Sequence, residues 1–233
     1  MISAGALKTV ANAVQPGVTT AELDRLAEKY IRSKGGVPNF KNYQGFPATA
    51  CISINNEVIH GIPSEKRVLR NGDIVSVDLG AMFQGYHGDN AATFAVGDVS
   101  PEAKRLMDAT RESLMEGINA ARAGGRIGDI SHAVQSYVEA KGFSVVRQFV
   151  GHGVGTKLHE EPEVPNFGKA GHGVRLMPGM TLAIEPMVNI GDYRVKVLGD
   201  GWTTVTADGS LSAHFEHTVL ITTDGPQIMT VAP

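Results

Sequence analysis

Apolar residues recur at two spacings along this chain, and the change from one to the other marks out its elements. Leu23, Leu26, Ala27, Tyr30 and Ile31 follow the three-and-four spacing of a helix face. Thr19 with Glu22 forms a capping box ahead of them and Lys34-Gly35-Gly36 stops them, so the pattern predicts a helix over about 19–34. Ser100-Pro101-Glu102 opens a longer helix ending near Gly124, and another runs from about Ile127 to Lys141. A further helix is expected to begin at about Met1-Ile2-Ser3. Over 73–80 the period falls to two: Val75, Val77 and Leu79 alternate with Ser76 and Asp78, a strand with Asp78 turned away from the apolar layer. Residues 86–96 read as its hairpin partner across Gln84-Gly85, carrying Asp89 on the second arm. Runs at 144–150, 180–189, 192–207 and 211–222 predict more strands, with Asp208-Gly209 as a turn. The expected class is α+β: antiparallel sheet with helices packed on one side.

Compared with itself at an offset of 107 residues, the chain aligns Gly17 with Gly124, Leu23 with Ile130, Tyr30 with Tyr137, Lys34 with Lys141 and Gly35 with Gly142. Leucine and glycine recur in any helix that ends at glycine, but the shared Tyr and Lys-Gly positions favour an internal duplication.

Composition narrows the picture. A chain of 233 residues with 42% hydrophobic content can bury a sizeable core, as one large domain or as two fused halves. With 21 basic and 24 acidic residues, and no basic cluster beyond Lys66-Arg67 with nearby Arg70, a nucleic-acid surface is not expected. No apolar run approaches the ~20 residues that span a bilayer, and the N-terminus lacks the features of a secretory signal, so no membrane association is expected and the cytoplasm is the expected location. The single cysteine, Cys51, can form no internal disulfide, in keeping with a reducing compartment.

Five residues with metal-binding chemistry, Asp78, Asp89, His152, Glu185 and Glu216, each sit at or beside an apolar, strand-like run. One acid in a hairpin is ordinarily a solvated or turn-bonding group. Four that converge in apolar surroundings are costly to desolvate and repel one another, whereas two divalent cations would neutralise them and generate a hydroxide nucleophile. The set therefore points to a dinuclear metal hydrolase. An oxygen-rich set with one imidazole suits manganese, iron or cobalt better than a closed thiolate zinc site. Gly151-His152-Gly153-Val154-Gly155 lacks the strand-turn-helix setting of a phosphate loop, and its glycines read instead as room for close backbone approach. His132 and His172 read as surface or packing residues, and His87, His214 and His217, beside the candidate ligands, as groups that support those ligands or the fold. Cys51 reads as a packing thiol.

The segments Cys51-Ile-Ser-Ile-Asn-Asn-Glu-Val-Ile-His60-Gly-Ile-Pro63, Val77-Asp-Leu-Gly80, His87-Gly-Asp-Asn90, Gly151-His-Gly-Val-Gly155 with His159-Glu-Glu-Pro162, Ile184-Glu-Pro-Met187 and Ser212-Ala-His-Phe-Glu-His-Thr218 resemble those of the methionine aminopeptidases. The match is closest to type I, extends to about Ile228 and lacks the large type II insertion. The resemblance implies the pita-bread fold: two pseudo-symmetric halves, approximately 1–100 and 101–233, around a central antiparallel sheet with helices outside, forming a single catalytic domain. It also implies that Asp89 and Glu216 bridge two metal ions, His152 and Glu185 complete the shell of one, and Asp78 chelates the other. The shared hydroxide would attack the first peptide carbonyl. His60 would lie near the scissile amide, His159 would stabilise charge on the carbonyl oxygen, and Glu185 would shuttle a proton. Tyr43, Phe46, Cys51, Leu158 and Trp202 match the family's methionine pocket, with Phe46 and Leu158 at places where relatives carry other residues. Asn55, Glu57 and Ser212 match places that hold a monovalent cation in some relatives, and surface-loop geometry explains them equally well.

The implied activity is removal of the initiator methionine from nascent polypeptides with a small second residue, by a monomer in the cytoplasm, with the ribosome as a candidate partner. Relatives usually carry a further stretch ahead of the helix that begins here at about Met1. Two other readings are a proline-peptide hydrolase of the same fold, which generally carries a separate N-terminal domain, and an inactive peptide-binding module, which would ordinarily have lost ligands.

Overall fold

The computed structural model describes residues 2–232; Met1, where the sequence places the start of the first helix, lies outside them. The helices are α1 (Ile2–Ala11), α2 (Thr20–Ser33), α3 (Pro101–Ala120) and α4 (Ile127–Ala140). The strands are β1 (Val37–Pro38), β2 (Ala50–Ile54), β3 (Glu57–Ile59), β4 (Ile74–Phe83), β5 (Tyr86–Ala95), β6 (Ser144–Val145), β7 (Gly151–Gly153), β8 (Glu160–Val164), β9 (Thr181–Ile184), β10 (Met187–Asn189), β11 (Val195–Val197), β12 (Thr204–Thr206), β13 (Ser212–His214), β14 (Glu216–Thr222) and β15 (Gly225–Ile228). Helix α2 carries the capping box: Thr19 N–H donates to Glu22 Oε2 at 2.7 Å and Glu22 N–H to Thr19 Oγ1 at 3.2 Å. Helix α3 starts on Ser100, whose Oγ accepts from Ala103 N–H, with Pro101 in the first turn.

Strands β4 and β5 pair without interruption from Ile74↔Ala95 to Phe83↔Tyr86. Gln84 (φ 52°) and Gly85 (φ 83°) close the two-residue turn, the positive φ at both positions matching the twist of the strands they join. The hairpin lies in a nine-stranded sheet ordered β1-β4-β5-β14-β9-β7-β8, with β2 also on β4 and β15 on β14.

The two faces of this sheet are chemically different. Val75, Val77 and Leu79 of β4 pack with Leu23, Ala27 and Ile31 of α2 and Ala6 and Val10 of α1. Leu182 and Ile184 of β9 and Val219 and Ile221 of β14 pack with Leu114 and Ile118 of α3 and Ile130 of α4. Alternation puts the neighbours of these residues, including Asp78, on the opposite face.

Three of the strand runs expected from sequence are broken. The run over 180–189 becomes β9 and β10, and that over 211–222 becomes β13 and β14. Their pairing keeps one register through both breaks, from His217↔Ile184 to Met187↔His214, so a single bent pair is shared between the large sheet and the three-stranded sheet β13-β10-β6. Pro186, with no N–H for the ladder, sits at the bend. The run over 192–207 splits into β11 and β12 because the Asp200 carboxylate captures the N–H groups of Trp202 and Thr203 and turns the chain. Of 144–150 only Ser144–Val145 pairs.

After β3 the chain doubles back over β2. Ile52 N–H donates to Gly61 C=O at 2.8 Å and Gly61 N–H to Ser53 Oγ at 3.1 Å. A Cβ at Gly61 would lie 2.2 Å from Ile52 O, so no side chain fits there. Gly61→Ala is expected to lose about 1–3 kcal/mol of stability by overpacking against backbone. Urea unfolding should show a lower midpoint at unchanged slope; an unaltered midpoint would contradict this close approach.

Candidate metal centre

The register of six strands gathers side chains from distant parts of the chain into two adjacent rows on the helix-free face. Cys51 pairs with Asp78, Asp78 with Ala91, and Ala91 with Glu216. The His217↔Ile184 pair sets Glu185 beside Glu216 at the end of that row. In the neighbouring row Gly80 pairs with Asp89, and Thr218 pairs with Ala183, itself the partner of His152. Thr218 joins the two parts of that row: its Oγ1 accepts from Asp89 N–H at 3.0 Å and donates to Asp89 C=O at 2.8 Å, in place of ladder bonds. Side chains directly opposite or diagonal on one face are within reach of each other.

The consequence is a concentration of acid. Donor atoms of Asp89, His152 and Glu216 lie within 4.8 Å of one another, as do those of Asp78, His214 and Glu216, so Glu216 belongs to both groups. His152 Nε2 stands 3.6 Å from Glu185 Oε1 and His214 Nε2 3.9 Å from Glu216 Oε2. His152 Nδ1 is bonded to Gly153 C=O at 2.8 Å, which leaves the Nε2 lone pair facing the carboxylates.

Burial raises the pKa of all four acids, most plainly for Asp78, Glu185 and Glu216, where the negative charge of neighbouring acids adds to desolvation. Asp89 is pushed up to about 7 by desolvation, against the lowering effect of a backbone hydrogen bond at Asn90. Burial lowers His152, and takes His214 down to about 3, so both imidazoles are neutral at pH 7 and compensate no carboxylate. Asp78 Oδ1, Asp89 Oδ1 and Glu216 Oε1 are buried with no hydrogen-bond partner among the described residues. Orphaned acceptor oxygens, two groups sharing one carboxylate and an imidazole presenting its lone pair are the donor set of hard divalent cations.

The centre floors a cavity of about 340 Å³. Tyr43, Phe46, Cys51 and Trp202 line it, with His60 and His159. Leu158 belongs to the same apolar cluster but packs behind the wall, whereas Phe40 and Gln44, which sequence reading missed, do line it. Their local signal is weak: Phe40 stands alone between Asn39 and Lys41, and Gln44 owes its place to a left-handed backbone (φ 50°). Phe46 and Trp202 meet edge to face at 5.2 Å. His60, also left-handed (φ 59°), stacks edge to face on Phe149 at 5.6 Å and Trp202 at 6.2 Å. Tyr43 Oη is hydrogen-bonded to His159 Nδ1 at 2.8 Å, and the His159 and His152 rings lie 4.2 Å apart. Burial lowers His60 to about 4; His159 also falls to about 4, through burial and then the neighbouring imidazoles. Burial raises the Cys51 thiol, which stays protonated and is no nucleophile.

The other histidines separate cleanly. His87 is bonded to Asn39 and His217 to Thr230, while His132 and His172 are exposed. His214 differs, for neither ring nitrogen has a hydrogen-bond partner among the described residues. The side chain of Asn55 is held by Asp73 and Ile74, Glu57 by Arg67 and Ile54 N–H, and Ser212 Oγ donates to Val188 C=O.

Acids whose folded pKa is raised stabilise the fold in their neutral form. Between their unfolded values near 4 and the folded Asp89 value of about 7, the native state holds protons that the unfolded chain has released. The lowered His60, His152, His159 and His214 act in the opposite sense up to their unfolded value near 6.5. It is therefore above that value, where only the raised acids still hold extra protons, that the metal-free protein should lose thermal stability as pH rises, and Mn(II) should suppress the loss. A melting temperature that climbs above that value in chelator would refute the assignment of these acids as raised.

Comparison with known proteins agrees with this geometry. The model of metallopeptidase family M24 matches residues 1–223. A methionine aminopeptidase of Clostridium perfringens is 59% identical over 94% of this chain and 87% of its own. The crystal structure of the methionine aminopeptidase of Thermotoga maritima superposes with a TM-score of 0.98 at 48% identity, over 99% of this chain and 93% of that one. The Xaa-Pro dipeptidase of Bacillus anthracis, at 24% identity and a TM-score of 0.79 over 58% of its length, shares the fold alone. From the matched motifs and this pita-bread architecture, the chain belongs to metallopeptidase family M24.

Proposed function

We propose that the protein is a metal-dependent aminopeptidase that removes the N-terminal methionine from newly made polypeptides whose second residue is small. The observation that carries this reading is the pairing of an acid-lined floor with an apolar pocket in one cavity. Asp89 and Glu216 are proposed to bridge two divalent ions, with His152 and Glu185 on one and Asp78 on the other. Manganese, iron(II) and cobalt are the metals that this donor set favours. Such a pair, when bound, balances the four carboxylates, holds a free α-amine and supplies a water-derived nucleophile at neutral pH.

The chain's own groups do the rest. Phe40, Phe46 and Trp202 receive the unbranched thioether, for which a soft apolar wall is suited. With the Tyr43 hydroxyl donating to Nδ1, His159 carries its proton on Nε2 and donates from there to the carbonyl oxygen as charge develops on it. Glu185 takes the proton of the attacking water and returns it to the leaving amide nitrogen. His60, held against Phe149 and Trp202, lies beside that amide and keeps it oriented. A wider groove adjoining the cavity, with Glu160, Glu161 and Glu163 on its rim, gives the rest of the substrate a way out.

The whole chain is read as one catalytic domain of two halves, acting as a monomer in the cytoplasm. Asp78 and Glu185, at corresponding places in the Asp78↔Ala91 and Glu216–Glu185 pairings, support the two-half reading through the same 107-residue offset found in the helices. Among the described residues no helix is long and apolar enough to cross a membrane.

Metal-loaded protein should release methionine from Met-Ala-Ser and leave Ala-Pro-Ala intact; cleavage before proline would favour the prolidase reading, and silence on both a non-enzymatic module. His159→Ala is expected to lower kcat by ~10²-fold with little change in peptide affinity, as for loss of one oxyanion donor. An unaltered kcat removes His159 from the chemistry. Asp89→Ala should abolish turnover while keeping the circular dichroism of the fold, and near-normal activity would refute a bridging carboxylate.

A further inference from the structure

Strands β5 and β14 contain a relation that the five-ligand set leaves unused. Ala91 pairs with Glu216. Two residues away on either side, a threonine of one strand bonds the main chain of the other. Thr218 Oγ1 does so to Asp89, and Thr93 Oγ1 accepts from His214 N–H at 2.9 Å and donates to His214 C=O at 2.8 Å. The two crossings repeat each other about the Ala91–Glu216 pair. Asp89 and His214 thus hold equivalent positions, each two residues before the central member of its strand and each pinned by the opposite threonine. Ser76 Oγ, bonded to Thr93 Oγ1 at 2.8 Å, fixes the second crossing to β4, the strand of Asp78.

His214 is 1% exposed, and both ring nitrogens lack a hydrogen-bond partner among the described residues. A buried polar group left so is expensive unless something takes its lone pair. His87 and His217, in contrast, are bonded to Asn39 and Thr230. Donor atoms of Asp78, His214 and Glu216 lie within 4.8 Å of one another, and Nε2 is 3.9 Å from Glu216 Oε2. Two donors about 2.1 Å from one ion stand roughly 3–4 Å apart, so the pair is already near ligating separation.

We propose that His214 is a sixth ligand of the centre, giving an imidazole nitrogen to the ion held by Asp78 as His152 gives one to the other. This rests on the two-ion reading above. It makes the centre nitrogen-bearing on both sides, with Glu216 between.

Pulsed EPR of the Mn(II)-loaded protein, with and without ¹⁵N-histidine, counts the imidazole nitrogens bound, and a Mn(II) titration counts the ions. Two ions and two histidine nitrogens are expected, one nitrogen persisting in His152→Ala and the other in His214→Gln. His214→Gln should weaken one of the two ions about tenfold or more while leaving the other within twofold, with near-ultraviolet circular dichroism reporting an intact core. Two ions with one histidine nitrogen that vanishes in His152→Ala would overturn the sixth ligand and leave the two-ion centre standing. Uptake of fewer than two ions by the unmodified protein would overturn both. The His152→Ala arm decides the question even where His214→Gln does not fold.

Discussion

Mutual repulsion among four carboxylates largely shielded from water on one face of a sheet is the constraint around which the rest of this molecule is arranged. Asp78, Glu216 and Glu185 lie in one row and Asp89 in the next, Asp89 and Glu216 fully buried and Asp78 and Glu185 opening partly onto the cavity. Space for them is made by small residues. Ala91 separates Asp78 from Glu216, and Ala183 lies between Thr218 and His152. A Cβ at Gly80 would sit 3.0 Å from Asp89 Oδ1 and 2.5 Å from Asn39 Nδ2, so glycine there keeps the Asp89 carboxylate free to point into the centre. No hydrogen bond reaches Asp78 Oδ1, Asp89 Oδ1 or Glu216 Oε1 from the described residues. A site left short of partners in this way is stabilised by cations and destabilised without them.

Such a face is tolerable because the other face of the same strands is apolar and helix-covered. Val77 and Leu79 flank Asp78 and anchor β4 to α1 and α2, while Ile184 beside Glu185 and Val219 beyond Glu216 anchor β9 and β14 to α3 and α4. Period-two alternation thus lets each ligand be held by neighbours it never touches. The threonine crossings add a second kind of hold. Where β14 leaves the β5 ladder, the hydroxyl of Thr218 serves both Asp89 main-chain groups, so the backbone of a proposed ligand stays paired although its strand pairing has ended.

Much of this was legible in the sequence, for identifiable reasons. Capping residues and helical spacing fixed α2, α3 and α4 to within a few residues, and Gly85 between two strand-like runs announced the hairpin because glycine takes a positive φ without strain. The alternation at Val75–Leu79 announced the orientation of Asp78. Strand β2 went unmarked because Ala50-Cys51-Ile52-Ser53-Ile54 is buried on both faces and carries no alternation to read. Breaks at Pro186 and Phe215 were hidden by apolar runs that continue through them; they are consequences of one strand pair serving two sheets. Leu158 packs in the cluster behind the wall that it was expected to line, and Phe40, unmarked in the sequence, lines it, because the two places are set by tertiary geometry, to which residue type is blind. His214 looked like a supporting neighbour of Glu216; its unpartnered ring nitrogens, its approach to Asp78 and Glu216 and the equivalence of the two threonine crossings distinguish it from His217, none of which residue type alone reveals.

Equivalent positions in the two halves are chemically unequal, and the inequality follows from charge. Asp78 corresponds to Glu185, both acidic, but Ala91 corresponds to Glu216 and Asp89 to His214. Strict symmetry of the acids would place six carboxylates on this face, against the four charges that two dications supply, and the excess would remain buried and unpaired. Replacing one central acid by alanine and one flanking acid by a neutral imidazole brings the count to four while keeping a donor atom at the flank. The asymmetry also gives the shared position to a single residue, Glu216, which reaches both donor groups because its counterpart Ala91 takes up no room beside it.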